Sequence, residues 1–298
     1  MTPERVSVVV PTRDKAGSLR LTLACLADQS CPVPVDVVVV NDAAPPRDGT
    51  PDATERVVAE AAGRPSLPVR AVRGPGRGRA AARNAGAAVA VGDLLLFLDD
   101  DILLPPTAVA AHVAAHHRDA DACVHGPVRD LPGARRLLAS TEPGVRRAPY
   151  EAVAAGRFGR TVVTALERLV AAMAEGRAPA VAPWLVCIGA NTSMPRALWR
   201  RSGGYDEGFG TTWGCEDLEL GRRLWSLGTR MRLAPDAPGV HLTHERPDRW
   251  EQHARTLARF TDKHPEPAVR ALAALLGPSG TPDRYLEALR TLEGSTPS

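Results

Sequence analysis

The sequence predicts an α/β fold, three layers deep, with a mostly parallel central sheet. Two observations carry that prediction. Short valine- or leucine-rich runs alternate with amphipathic helical stretches through the first hundred residues, the pattern of a doubly wound sheet. The apolar runs, such as Val37–Val40 and Leu94–Leu98, fall far short of the roughly 20 residues a bilayer span needs. They therefore read as buried strands. With 298 residues, 44% hydrophobic and 24% charged, the chain can bury a core without disulfide or metal staples.

The elements follow in order. Val6–Val10 is a buried parallel strand ending at Pro11. Leu19, Leu23 and Leu26 recur at i, i+4 and i+7, one helical face. Val35–Val40 is a second strand, ending in Asn41-Asp42, and Ala53–Ala62 a helix. Val69–Val72 is a third strand, followed by the loop GPGRGR and a helix from Arg79 to Val91. Gly92 stops that helix, and a strand over Asp93–Leu98 runs into Asp99-Asp100-Asp101. Right-handed crossovers bring the four strand ends to one sheet edge, where ligands bind. Residues 130–183 read as an insertion over that edge, with Val162, Leu166, Leu169 and Met173 on one side of a helix. Trp184–Ile188 predicts a strand, Glu216–Leu227 a helix and Arg230–Leu233 another strand. The chain is helical from Asp248, with a polar end that frays after Glu293.

Composition narrows the function. A net charge of +3 excludes a basic nucleic-acid carpet. Lys15 and Lys263 are the only lysines, so the abundant arginine reads first as compositional bias. Cys25, Cys31, Cys123, Cys187 and Cys215 form no C-x-x-C pair, which suits neither a disulfide framework nor a zinc site. A strand begins within about six residues of the start, with no signal-peptide pattern. The expectation is a cytoplasmic protein with free thiols and no transmembrane segment.

Chemistry-bearing residues gather at the predicted sheet edge. In an extended segment Asp99 and Asp101 share one face, and paired carboxylates repel unless a cation lies between them. Oxygen ligands suit Mg²⁺ or Mn²⁺; the same acids also suit a helix cap and a solvated turn. Asp42 can accept a hydrogen bond from a base or ribose, or serve the turn before Pro45. The loop GPGRGR fails the dinucleotide pattern, which needs glycine at Arg79, and no P-loop occurs. It remains a basic loop feeding a helix N-terminus, fit for phosphate. Arg83 and Asn84 either face the same site or lie on a solvated helix face. Asp217, Leu220 and Leu224 share an inward helix face, so Asp217 is a cap or a working base. The glycine-rich segment before it, which holds Trp213, suits a loop that closes over substrate. His241 and His244 are structural, or add an imidazole to a metal site. Cys215 reads as packing.

Taken together, VSVVVPTRDKAGSLRLTLACLADQS, VVVVNDA, GRAAARNAG, GDLLLFLDDD, IGANTSMPRALWRRSGGYDEGFG and GCEDLELGRRLWSLG resemble the family 2 glycosyltransferases of the GT-A, Rossmann-like fold. That resemblance implies a catalytic domain over residues 1–246. Its nucleotide-binding half is about 1–104 and its acceptor-binding half about 105–246, and a helical extension follows over 247–298. It further implies that Pro11, Thr12, Arg13 and Asp14 line the nucleotide pocket. Asp42 contacts the base, usually uracil, Arg83 lies beside the nucleotide, and Asp99 approaches the ribose with Asp100 next to it. Asp101 and His241 bind Mg²⁺ or Mn²⁺, while Asn191 and Trp213 lie near the donor sugar or acceptor. Asp217 is the base, with Glu216 beside it.

The implied reaction moves one sugar from a nucleotide sugar, UDP-linked, to an acceptor hydroxyl with inversion. NDAA departs from the family, where a second acid usually precedes the Asp and Gly-Ser follows. Arg249-Trp250 matches the end of the Q-x-x-R-W signature of processive synthases, but Arg246 replaces its Gln. Single transfer is therefore expected, with Arg246 and Arg249 on a loop that touches phosphate. No nucleic-acid partner is expected, and peripheral membrane contact is left open. The competing readings are a sugar-1-phosphate nucleotidyltransferase and a non-catalytic protein that binds a nucleotide sugar or nucleic acid.

Overall fold

A computed structural model describes residues 3–46, 50–63 and 67–294; the expected fraying lies mainly in the tail outside them. Strands β1 (Val6–Thr12), β2 (Val35–Asn41), β3 (Val69–Arg73) and β4 (Leu94–Leu98) alternate with helices α1 (Ala16–Ala27), α2 (Ala53–Ala62) and α3 (Arg79–Val89). β1 pairs in parallel with β2 and β4, and β2 with β3. Side chains of β1 divide between two cores. Val6, Val8 and Val10 pack with the leucines of α1, and Val9 packs with the alanines of α3. Burial on both faces explains why these strands read as continuous apolar runs. Each buried Val or Leu contributes about 1.5–3 kcal/mol. Gly86 lets α3 lie close to the sheet, since a Cβ there would fall 2.4 Å from Val9 Cγ1.

The second half is built differently. β5 (Ile102–Leu103), α4 (Ala108–Arg118), β6 (Ala122–His125) and β7 (Val128–Leu131) come first. Short helices α5 (Ala134–Leu138), α6 (Pro143–Arg147) and α7 (Pro149–Ala154) lead to α8 (Ala165–Ala174). Then follow β8 (Asn191–Pro195), α9 (Arg196–Ser202), α10 (Glu216–Ser226), β9 (Arg230–Leu233) and β10 (Gly239–Leu242). The large sheet runs β3-β2-β1-β4-β8-β6-β9. β8 is antiparallel to both of its neighbours. A small second sheet, β5-β10-β7, stands beside it.

Helices α11 (Arg249–Lys263), α12 (Pro267–Arg270), α13 (Ala273–Leu276) and α14 (Pro282–Gly294) close the chain. Phe260, Leu275 and Tyr285 from these helices, with Leu272 just before α13, share one buried cluster with Val9, Leu95 and Phe97 of the sheet. No described helix is long and apolar enough to cross a membrane.

Two sequence expectations are corrected. Trp184–Ile188 is not a strand, because Pro183–Val186 forms a 3-10 turn. Pro183 fixes a helical φ at its start, and Trp184 packs edge-on against Phe260 at 5.7 Å. The strand comes later, in the polar stretch Asn191–Pro195. Ser193 there is buried because His112 and His116 bond its hydroxyl, each at 2.9 Å. Val162 does not belong to the helical stripe. It is 51% exposed and forms a lone bridge with Asp130. The helix begins after Thr164, whose hydroxyl accepts the Glu167 N–H at 3.2 Å.

Candidate active site

The carboxyl ends of β1, β2 and β4 open into a cavity of about 780 Å³. The small sheet, residues 162–168 at the start of α8, the start of α10, the segment entering α11 and the turn after α13 form further walls.

The acidic triplet is a turn and not an extended segment. The Ile102 N–H reaches back to the Asp99 carbonyl at 3.3 Å, so the three carboxylates fan out. Asp99 turns to Arg83, its Oδ1 accepting from Nη2 at 2.8 Å. Asp100 accepts the Thr12 hydroxyl at 2.5 Å, and Asp101 accepts Lys15 Nζ at 2.6 Å. Lys15 also lies 3.6 Å from Asp100. The acids that share a cation are therefore Asp100 and Asp101, not Asp99 and Asp101. Burial, with the charge of Asp101 added, pushes Asp100 up to about 7. Burial also opposes ionisation of Asp101, but His241 and Lys15 outweigh it and hold that carboxyl well below its usual range.

The small sheet sets the histidines. In its register His241 pairs with Ile102, which follows the acidic turn, and with Asp130 of β7. His241 Nε2 lies 3.6 Å from Asp101 Oδ2, and His244 Nδ1 lies 3.5 Å from the same atom. One ligand atom from each of Asp101, His241 and His244 falls within 4.8 Å of the others. His241 Nδ1 sits 2.8 Å from Asp130 Oδ1, the outer partner that orients a ligating imidazole. One oxygen and two nitrogens suit a divalent cation such as Mn²⁺, so the residues fit one. Burial lowers the pKa of His241, but Asp101 and Asp130 overcome it and push it up to about 10. Burial and then Lys15 lower His244 to about 4.

Arg83 ties the two halves together. It is 2% exposed, donates to Glu216 and Asp99 at 2.8 Å each, and stacks on Tyr205 at 5.2 Å. Burial would raise the pKa of Glu216, yet Arg83 holds it down. Asp217 has no such cation bond. Its oxygens accept backbone N–H groups of Gly189 at 2.9 Å and Leu218 at 2.8 Å. Burial, with Glu216 adding to it, pushes Asp217 up to about 6. Cys215, just before α10, holds a left-handed φ of 65°, costly for a non-glycine residue. A close approach also places α10: a Cβ on Gly221 would fall 2.4 Å from the Trp184 carbonyl.

A basic wall adjoins the histidines, with Arg246 Nη2 3.0 Å from His244 Nε2. Arg79, Arg246 and Arg249 line the cavity, and none pairs with a carboxylate among the described residues. Arg249 Nε is buried without a hydrogen-bond partner. Burial, then Arg79, lowers Arg246 to about 10. Both Arg246 and Arg249 stack on Trp213, at 4.8 and 5.1 Å. Asp42 holds the glycine loop, accepting N–H groups of Gly76 at 2.7 Å and Gly78 at 2.9 Å.

Of the residues singled out in the sequence, Pro11, Thr12, Arg13, Asp42, Arg83 and Asp99 line the cavity, as do Asp100, Asp101, Trp213, Glu216, Asp217 and His241. Three do not. Asp14 points away, its side chain 79% exposed, in a left-handed turn with φ of 57°. Asn191 is fully buried, bonded to His112 and to the carbonyls of Gly126 and Ala237. Asn84 pins the backbone of Tyr205, with both contacts at 2.9 Å. Sequence reasoning missed Lys15, Asp130 and the wall at residues 275–280. Lys15 left a signal, as one of two lysines in an arginine-rich chain and at the end of a strand-edge motif.

Comparisons with known proteins agree with this architecture. Residues 7–152 match the model for glycosyl transferase family 2, and residues 180–245 match the N-terminal domain of galactosyltransferase. Validoxylamine A glucosyltransferase of Streptomyces hygroscopicus is 34% identical over 275 residues, covering 87% of this chain. The match spans 61% of that protein, so this chain corresponds to about three fifths of its relative. Hyaluronan synthase of Pasteurella multocida is 28% identical over 81% of this chain and 24% of its own length. A mannosyltransferase of Pyrobaculum calidifontis, solved with GDP-Man and Mn²⁺, superposes with a TM-score of 0.60 at 20% identity. It covers all of this chain and 77% of its own. S. aureus TarS, solved with UDP-GlcNAc, gives 0.54 at 16% identity over 97% of this chain and 71% of its own. The matching sequence segments and the shared fold place this chain in glycosyl transferase family 2.

Proposed function

We propose that this chain transfers one sugar from a nucleoside-diphosphate sugar, UDP-linked, to an acceptor hydroxyl, with inversion and with a divalent cation. One observation carries the reading. The arginines without carboxylate partners, the Asp101–His241–His244 cluster and the half-buried Asp217 meet in a single cavity. Arg79, Arg246 and Arg249 supply charge-assisted donors that a diphosphate needs. Asp42 and the glycine loop form the nucleoside end. Asp101, His241 and His244 would hold the cation, which when bound supplies Lewis-acid charge to the departing diphosphate.

Asp217 accepts the acceptor's proton. Its carboxylate is bound only by backbone N–H groups and is raised to about 6, near the best range for a general base at neutral pH. Attack from the Asp217 side, opposite the diphosphate, inverts the anomeric centre. Arg83 keeps Glu216 ionised and fixes the start of α10, so Asp217 is held at a constant place. The nucleotide sugars and Mn²⁺ bound by the structural neighbours support this reading.

A thermal-shift panel of UDP-, GDP- and dTDP-sugars, each with and without Mn²⁺, tests it. A ligand at 100 times its Kd stabilises by about 2.7 kcal/mol. The expected result is a clear Mn²⁺-dependent rise in Tm with UDP-sugars. A rise with none of the three, with or without metal, would sink the proposal.

A further inference from the structure

Lys15 stands where a cation belongs. Its Nζ lies 2.6 Å from Asp101 Oδ2, the same atom that His241 Nε2 and His244 Nδ1 approach at 3.6 and 3.5 Å. Three nitrogens from two segments, the start of α1 and the end of β10, thus converge on one carboxylate oxygen. An ion held by Asp101, His241 and His244 would share that oxygen with an ammonium group. Two positive charges a few ångströms apart in a buried site repel strongly. The two occupants exclude each other.

We infer that Lys15 is a displaceable counter-ion of the metal site. It neutralises the acidic turn before a divalent cation arrives and must leave Asp101 to admit one. This inference rests on the proposed metal reading. Three features make Lys15 suited to exchange. Its side chain is 27% exposed, so it has room to swing. Its backbone sits at the start of α1 without a side-chain cap bond, so moving the ammonium disturbs no helix contact. Asp100 Oδ1, 3.6 Å away, is a second seat within reach.

The released ammonium then faces the cavity, which Lys15 also lines, and a diphosphate would receive it. The device favours a cation that arrives together with anionic ligand over a cation alone. A permanent structural ion pair would behave differently. Removing the ammonium would then leave Asp101 uncompensated and disordered, and metal binding would weaken. Under displacement, removing it deletes a competitor, and metal binding strengthens.

The test is Mn²⁺ binding without nucleotide, followed by electron paramagnetic resonance of the free ion, on the full chain. Wild type is compared with Lys15→Met, Lys15→Arg and Asp101→Asn, each checked for an unchanged circular dichroism spectrum. Lys15→Met should tighten Mn²⁺ by about tenfold, a value between that of an exposed and a buried ion pair. Lys15→Arg keeps the competing charge and should stay within about twofold of wild type. Asp101→Asn should abolish binding in the wild-type range. Should Lys15→Met bind equally or more weakly while Asp101→Asn still loses the ion, Lys15 is not a competitor, and the metal reading stands alone. Should wild type and Lys15→Met both fail to bind Mn²⁺, with and without UDP, the metal reading is wrong and this inference falls with it.

Discussion

Asp101 is buried and Asp217 half-buried, and their surroundings drive them in opposite directions. Asp101 is surrounded by cations and stays ionised, whereas burial and Glu216 outweigh the charge of Arg83 and the backbone N–H groups at Asp217. The contrast predicts a pH profile. Transfer should rise with pH through an apparent pKa of about 6 and then level off, because the base works only when deprotonated. Asp217→Asn should lower kcat by about 10²- to 10⁴-fold with donor affinity retained. The stability sign is opposite to that of an ion-paired acid. A carboxyl raised in the folded state binds its proton more tightly there than in the unfolded chain. Its contribution to stability is thus lost as pH rises from the ordinary Asp range to about 6. Asp217→Asn should accordingly gain about 1–2 kcal/mol relative to wild type between pH 4 and pH 7. Urea unfolding at both pH values reads the gain, and an unchanged difference would refute the assigned environment. An activity profile flat from pH 5 to 8 would remove Asp217 as the base.

Helix α10 carries Asp217 at its N-terminus and is moored further along by Glu219. That carboxylate is fully buried and accepts from Arg223 at 2.9 Å, Lys263 at 2.5 Å and His264 at 3.1 Å. Lys263 belongs to α11 and His264 follows it, so Glu219 fastens the C-terminal helices to α10. Burial opposes its charge, and Arg223 with Lys263 outweighs burial. Glu219→Gln should destabilise by about 1–3 kcal/mol, since the part-exposed Arg223 and Lys263 lose the charged acceptor they share. The loss should be full near neutral pH and shrink as pH falls below the ordinary Glu range, where wild type protonates too. A difference constant from pH 3 to 7 would show that the charge is not what holds α11.

Elements such as α10 were legible because Asp217, Leu220 and Leu224 mark one face. The mooring role of Glu219 was not, because Lys263 and His264 lie more than forty residues away. The same limit explains Asn191. Its motif pointed to a ligand site, but its amide is consumed by His112 and two carbonyls across the sheet.

The cavity exists only when segments from the whole chain meet. The part at the strand edges was legible in the sequence, because four parallel strands must deliver Thr12, Asp42 and Asp99 to one edge. The small sheet was not, since β5 spans two residues and β7 and β10 four each, too short for a period. Nor was the wall at Leu275–Gly280, which reaches the cavity through the packing of α13 and α14 on the core. Because the site is shared, a donor should restrain parts that are remote in sequence. Hydrogen exchange with Mn²⁺ and UDP should slow the amides of residues 211–215 and 241–253. These segments hold Trp213, His241, His244 and the two stacked arginines. Local opening must then break ligand contacts as well as backbone bonds, and about tenfold slower exchange is expected. Helix α2 contributes nothing to the lining and should exchange as before. The turn at 275–280 carries no charged side chain to meet a diphosphate, so UDP should leave it unchanged. Slowing confined to residues 11–15 and 99–101 would mean the arginine wall does not hold the diphosphate. The donor would then be bound by the N-terminal half alone, and the C-terminal helices would be only packing.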